Sequence, residues 1–211
     1  MGDKGWGPAL AAMPQWNHAR LNDFERPCYS ESAADANGDG PAPGVSADAS
    51  DGVAVRSKRR DPNGGKPYSG PLMRSAPFPV YVDGVYCPGD TTWRIVYSLY
   101  YPNDYNHRHD WERAIVVFGK TQGDWWERKA LLIAQHILIT TFNEAKTSCL
   151  GPGFDYSPGI YNEYRRNNWQ YSPVLGDIRN GVVDVPQAWG DYEGKTPPWK
   201  IVPQVCGMSS P

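Results

Sequence analysis

From Phe78 to Thr141 the chain alternates strand-length apolar runs with turn-forming clusters, and this punctuation limits the fold more than any other feature. Trp93, Ile95, Tyr97 and Leu99 occupy every second position, with Arg94, Val96, Ser98 and Tyr100 between them. That period sends the two sets to opposite faces of a pleated strand, a surface that suits β-branched and aromatic side chains. Pro79-Val80-Tyr81-Val82 is closed by Asp83-Gly84, and Val85-Tyr86-Cys87 by Pro88-Gly89-Asp90, which predicts two short strands. After Pro102-Asn103-Asp104 a polar loop is expected. Glu112 to Phe118 then reads as a strand whose Ile115-Val116-Val117-Phe118 run asks for burial on both faces. Ala130 to Thr141 reads as a strand pair or one long buried strand with His136 at its middle.

With 22 Gly and 20 Pro in 211 residues, about one position in five is a helix breaker, so a helical bundle is excluded. The expected fold is mainly β: a central β-sandwich with a few flanking helices. Residues 1–23 form an N-terminal segment and 24–211 a single domain. Up to residue 70 the chain reads mostly as loop, with a short helix near Pro14 to Phe24. Beyond Thr141 turn-rich pieces such as Leu150-Gly151-Pro152-Gly153 blur the pattern, and the C-terminal third is expected to be atypical.

Lys and Arg total 21 against 23 Asp and Glu, a formal charge of -2, so no global positive field draws in nucleic acid. The most apolar window, Ala130 to Ile139, is half the length of a membrane-crossing helix and contains Gln135 and His136. No secretory signal is readable in Met1 to Ser30. Cys28, Cys87, Cys149 and Cys206 are an even set without a C-x-x-C pair, which argues for disulfides over a zinc ribbon and leaves three connectivities if all four pair.

Chemistry concentrates between Asp104 and Glu112. Two of the four histidines, His107 and His109, fall there among three acids, Asp104, Asp110 and Glu112. If the chain enters a strand at Asp110, Asp110 and Glu112 share one face and Trp111 and Arg113 the other. Two adjacent carboxylates repel unless a cation or donors offset them, and a divalent ion does so directly, with Asp104 and His107 completing its shell. Carboxylate oxygens favour a hard cation such as calcium or magnesium. The alternative from spacing alone is a surface loop whose acids pair with Arg108 and Arg113.

Two other motifs stand out. Asp35-Ala36-Asn37-Gly38-Asp39-Gly40 matches the first half of a calcium loop, but Ser46 stands where a bidentate Glu is needed and Pro41 and Pro43 block the exiting helix. An Asx-type turn is expected instead. Asp124-Trp125-Trp126-Glu127 sets acids beside aromatic stacking surfaces, as in a sugar site, and is read as a turn with partly buried indoles.

His107-Arg108-His109-Asp110-Trp111-Glu112 resembles the G-H-R-H-D-W-E heptapeptide of the necrosis- and ethylene-inducing peptide 1-like proteins, the NPP1 family, with Asn106 in place of its glycine. Ile95 to Asp104 is similar to the strand that precedes it there, and Cys28 with Ala34-Asp35-Ala36-Asn37-Gly38 to the family's N-terminal cysteine and A-V-D-A-N-G stretch. The resemblance covers about residues 24–136. It implies a secreted, non-enzymatic cytolysin: a β-sandwich binding Ca2+ or Mg2+ and, through it, the glycosyl inositol phosphoryl ceramide head groups of plant plasma membranes, causing necrosis and defence responses. The implied metal ligands are Asp104, His107, Asp110 and Glu112, supported by Arg108, His109, Trp111 and Arg113. The segment Ile95 to Glu112 matches the family's pattern sensed by a plant immune receptor. A monomer is expected, and Cys28 with Cys87 is the candidate disulfide. The competing readings are a non-toxic family member that keeps only the fold or the immune-recognised segment, and a metal-assisted hydrolase of glycans or phosphoesters with His109 as general base.

Overall fold

A computed structural model describes residues 6–14, 16–18, 30–44, 78–104, 107–135, 138–141, 146–147, 170–171, 173–193 and 195–208. Its centre is a six-stranded sheet. Strands β2 (Val80–Cys87), β3 (Thr92–Asp104), β4 (His107–Lys120), β5 (Trp126–Gln135) and β6 (Leu138–Thr141) form an antiparallel meander, and β9 (Ile178–Asn180) adds parallel to β2, giving the order β6-β5-β4-β3-β2-β9. A second sheet of three short strands joins β1 (Trp16–His18) to β7 (Lys146–Thr147) and β8 (Gln170–Tyr171). The fold is therefore mainly β, and among the described residues no helix is long and apolar enough to cross a membrane.

The two-residue period sorts the large sheet into two apolar faces. Ile95, Tyr97, Leu99 and Tyr101 of β3 pack with Val80 and Val82 of β2 and with Ala114 and Val116 of β4. Helix α1 (Trp6–Ala11) and the buried Trp16 of β1 cover this first face, and the Tyr97 hydroxyl donates to the Ala9 carbonyl at 2.7 Å. The second face carries Tyr81, Val96, Tyr100, Trp111, Ile115 and Val117. Ile115, Val116 and Val117 are all buried, as the apolar run required.

The C-terminal residues cover the second face. Helix α2 (Gly181–Asp184), helix α3 (Pro198–Ile201) and the 3-10 helix Val202–Gly207 bring Val185, Tyr192, Ile201 and Val205 onto it. Asn180 caps α2, its side chain accepting from the Val183 amide at 2.9 Å. The fully buried Arg94 donates to the carbonyls of Met208 (2.6 Å) and Val205 (2.7 Å), the latter also accepting from the Met208 amide (3.2 Å), which fastens the end of the 3-10 helix to β3.

Several expectations are corrected. Asp83-Gly84 is no turn: β2 runs straight through, with Asp83 opposite Val96 and Gly84 opposite Ile95, because the Asp83 carboxylate is held by the Val182 amide of α2. The reversal falls at Pro88–Thr91, where Thr91 takes a positive φ of 55°. The helix expected near Pro14 to Phe24 is replaced by α1 further upstream, and Trp16–His18 is extended because it pairs on both sides; residues 19–24 lie outside the described residues. Ala130 to Thr141 resolves into the β5–β6 hairpin, with His136 outside the described residues. Cys87 pairs with Cys206, not with Cys28, since β2 ends beside the 3-10 helix that carries Cys206; Cys28 lies outside the described residues. The Asp124–Glu127 segment is a turn only at its start, since Trp126 and Glu127 open β5; Trp126 is partly buried at 38% exposed, as expected, while Trp125 is open at 79%. The Asx turn forms as expected. Asp35 Oδ1 accepts from the amides of Asn37, Gly38 and Asp39, with Gly38 at a positive φ of 80°.

Candidate metal centre

The motif lies within a strand, not on a loop. Asp104 pairs with His107, leaving only Tyr105 and Asn106 between β3 and β4, so the hairpin is tight and β4 begins three residues before Asp110. The side chains of Asp104 and His107 are outside the described residues.

Asp110 stands opposite Tyr101 and Glu112 opposite Leu99, and both partners belong to the first face. The acids therefore share that face, as the period requires. Glu112 is 5% exposed and Asp110 half-buried. A carboxylate taken out of water at this depth needs compensation from donors or a cation. Among the described residues no group of three or more His, Cys, Asp or Glu side chains is arranged to hold a metal ion. The described donors are the two carboxylates, whose oxygens suit a hard cation.

The other motif residues turn the opposite way. His109 takes a positive φ of 57° and is buried on the second face, its Nδ1 2.7 Å from the Tyr100 hydroxyl and its ring edge-on to Tyr192 at 5.3 Å. Trp111 lies against Tyr81 (5.4 Å), Tyr100 (5.2 Å) and Tyr192 (5.5 Å). Burial pushes the phenols of Tyr81, Tyr100 and Tyr192 above their ordinary range, which keeps these rings neutral. The Tyr81 hydroxyl accepts from the Ala33 amide (2.8 Å) and the Tyr192 hydroxyl donates to the Ala33 carbonyl (3.0 Å), so two rings clamp the backbone of one residue of the N-terminal loop.

Arg113 donates to the carbonyls of Thr196 (2.7 Å) and Trp111 (3.3 Å). Burial lowers its pKa while the charges of Glu112 and Asp110 oppose the fall. Arg108 is exposed and faces Glu193 at 3.7 Å, a surface pair of small energetic weight. The motif thus divides in two. Asp110 and Glu112 face one side, while His109, Trp111 and Arg113 tie the strand to the C-terminal residues on the other. This takes His109 away from the acid pair it would serve as general base. Sequence reasoning missed Tyr81, Tyr100 and Tyr192 as partners of the motif, and Gly44, whose backbone lies against the His109 ring. Only Tyr100 carried a signal, its place in the period of β3.

No protein-family model matches the sequence, and no curated protein does. Solved structures similar to the chain are of NLP, necrosis and ethylene-inducing peptide 1-like, proteins. A mutant of NLPPya aligns with a TM-score of 0.43 at 19% identity, over 67% of this chain and 59% of its own. A protein described as non-toxic HaNLP3 aligns with a TM-score of 0.37 at 20% identity, over 61% of this chain and 51% of its own. A structure described as a toxin fold for microbial attack and plant defense aligns with a TM-score of 0.39 at 16% identity, over 85% of this chain and 95% of its own. The chain thus spans little more than half the length of the first two.

Proposed function

We propose that the chain is a secreted, non-enzymatic cytolysin that grips the head groups of plant membrane sphingolipids through a divalent cation. Asp104, His107, Asp110 and Glu112 would hold the ion, with Ca2+ or Mg2+ suited to this oxygen-rich set. The observation that carries the reading is the shared face of Asp110 and Glu112 at the end of β4 where the hairpin turns. It is joined by the resemblance of His107–Glu112 to the NPP1 heptapeptide. When bound, the ion supplies a Lewis-acidic contact for sugar hydroxyl or phosphate oxygens, and no bond need break. The protein's own part is to hold two carboxylates on a rigid strand, so that neither must be ordered at the moment of binding. Tyr100, Trp111 and Tyr192 fix that strand from behind. The Cys87–Cys206 disulfide is consistent with an oxidising, extracellular compartment.

The test is dye release from vesicles containing glycosyl inositol phosphoryl ceramide. Release is expected with Ca2+ or Mg2+, and is expected to stop in excess chelator and in the Asp110→Ala protein. Release that ignores both would remove the metal from the account, and release of free head group would make the protein a hydrolase.

A further inference from the structure

The end of the large sheet far from the acid pair carries a second surface. Glu112 is opposite Leu99, six residues from Trp93 along β3, so about 20 Å at ~3.3 Å per residue separates the acid pair from this end. Four large aromatic side chains stand open here: Tyr86 (44% exposed), Trp93 (42%), Trp126 (38%) and Trp125 (79%). Tyr86 and Trp93 are cross-strand partners with ring centroids 5.4 Å apart, and Trp93 is opposite the half-buried Phe118. Trp126 is opposite Lys120, two residues along β4 from Phe118, which the strand period returns to the same face. The rings thus lie on β2, β3 and β5 of one sheet, with β4 between Trp93 and Trp126, and span roughly 16 Å from Tyr86 to Trp126 at the usual strand spacing and rise.

The charges around them are mixed, with the exposed Arg128 opposite Phe118 beside the rings. Lys120 faces Asp124 at 3.5 Å, and Lys129 is paired with Glu127. A surface whose lysines are engaged by its own acids has little to offer a polyanion such as nucleic acid or an anionic bilayer. The exposed side chains are indoles and a phenol, each with an apolar ring face and a polar edge, and without an aliphatic residue among them. Tyr86, Trp93 and Trp126 are more than half covered, and the Tyr86 and Trp93 planes are tilted by 49° to one another. A pyranose has the complementary form: an apolar C–H face rimmed by hydroxyls.

We propose that this end of the sheet binds a neutral glycan, its sugar rings stacking on Tyr86, Trp93 and Trp126 with Trp125 flanking them from the β4–β5 turn. The length of the platform fits an oligosaccharide better than a single ring. The site takes no part in the acid pair's chemistry and needs no metal.

The experiment titrates the full chain with cellohexaose and with chitohexaose, following tryptophan fluorescence and calorimetry, in buffer containing chelator. Saturable binding of at least one is expected. Trp93→Ala and Trp126→Ala are each expected to weaken it by about tenfold, with the circular dichroism spectrum unchanged. Trp93→Phe, which keeps a stacking face, should recover most of the loss. Absence of binding to both sugars overturns the proposal, as does binding that the two alanine variants leave intact. Retention on neutral phosphatidylcholine vesicles that these variants abolish, without sugar binding, would assign the patch to membrane instead.

Discussion

Cys87 is bonded to Cys206 across a separation of 119 residues, fastening the end of β2 to the 3-10 helix that covers the second face. Closing so long a loop restricts the unfolded chain and is worth about 4–5 kcal/mol on the chain-entropy account. Cys206→Ser is therefore expected to lower the unfolding free energy by that order and with it the denaturant midpoint. Urea unfolding of the two proteins under non-reducing conditions checks it, and equal midpoints would show that Arg94 alone suffices to dock the segment.

Gly44 sits over His109 with a φ of 66°, and a Cβ at this position would come within 2.7 Å of the imidazole. Gly44→Ala brings both left-handed strain and a clash with a ring already held by Tyr100. A loss of about 2 kcal/mol is expected, part of it recovered in the background of His109→Ala. A double-mutant cycle measures the coupling, and strict additivity would mean that the two residues do not touch.

Asp83 is buried beneath α2, and burial raises its pKa to about 6 despite the Val182 amide, with Asp184 adding to the rise. The folded value lies above the unfolded one, so the fold binds the proton more tightly. The stability Asp83 contributes is fully present below about pH 4 and is lost as pH rises through about 6. The change amounts to about 3 kcal/mol at most. Asp83→Asn, which keeps an acceptor for Val182, should remove this dependence. Stability of both proteins measured between pH 4 and 7 decides it, since a constant difference between them would contradict the raised pKa.

How far this was legible in the sequence depends on what fixes each element. The alternation in Trp93–Leu99 and the run Ile115–Val117 are local patterns, and both faces of the sheet follow from them. The same period predicted that Asp110 and Glu112 point one way and Trp111 and Arg113 the other. What went unread was set by distant partners. Asp83-Gly84 has the composition of a turn, yet Val96 on one side and α2 on the other keep it extended. Cys87 finds Cys206 because β9 returns the chain to β2, a pairing with no local signature. Tyr192, which seals His109 and Trp111, lies in a turn-rich stretch that gave no hint of its role.

The central claim is that β4 holds a divalent cation through Asp110 and Glu112, and direct titration of the metal-stripped full chain with Ca2+ and with Mg2+ by calorimetry tests it. The expected result is saturable binding of one ion per chain, weakened at least a hundredfold, about 2.8 kcal/mol, in Asp110→Asn, with the metal-free thermal midpoint unchanged. Binding that is absent at millimolar metal, or that survives intact in Asp110→Asn, would contradict it.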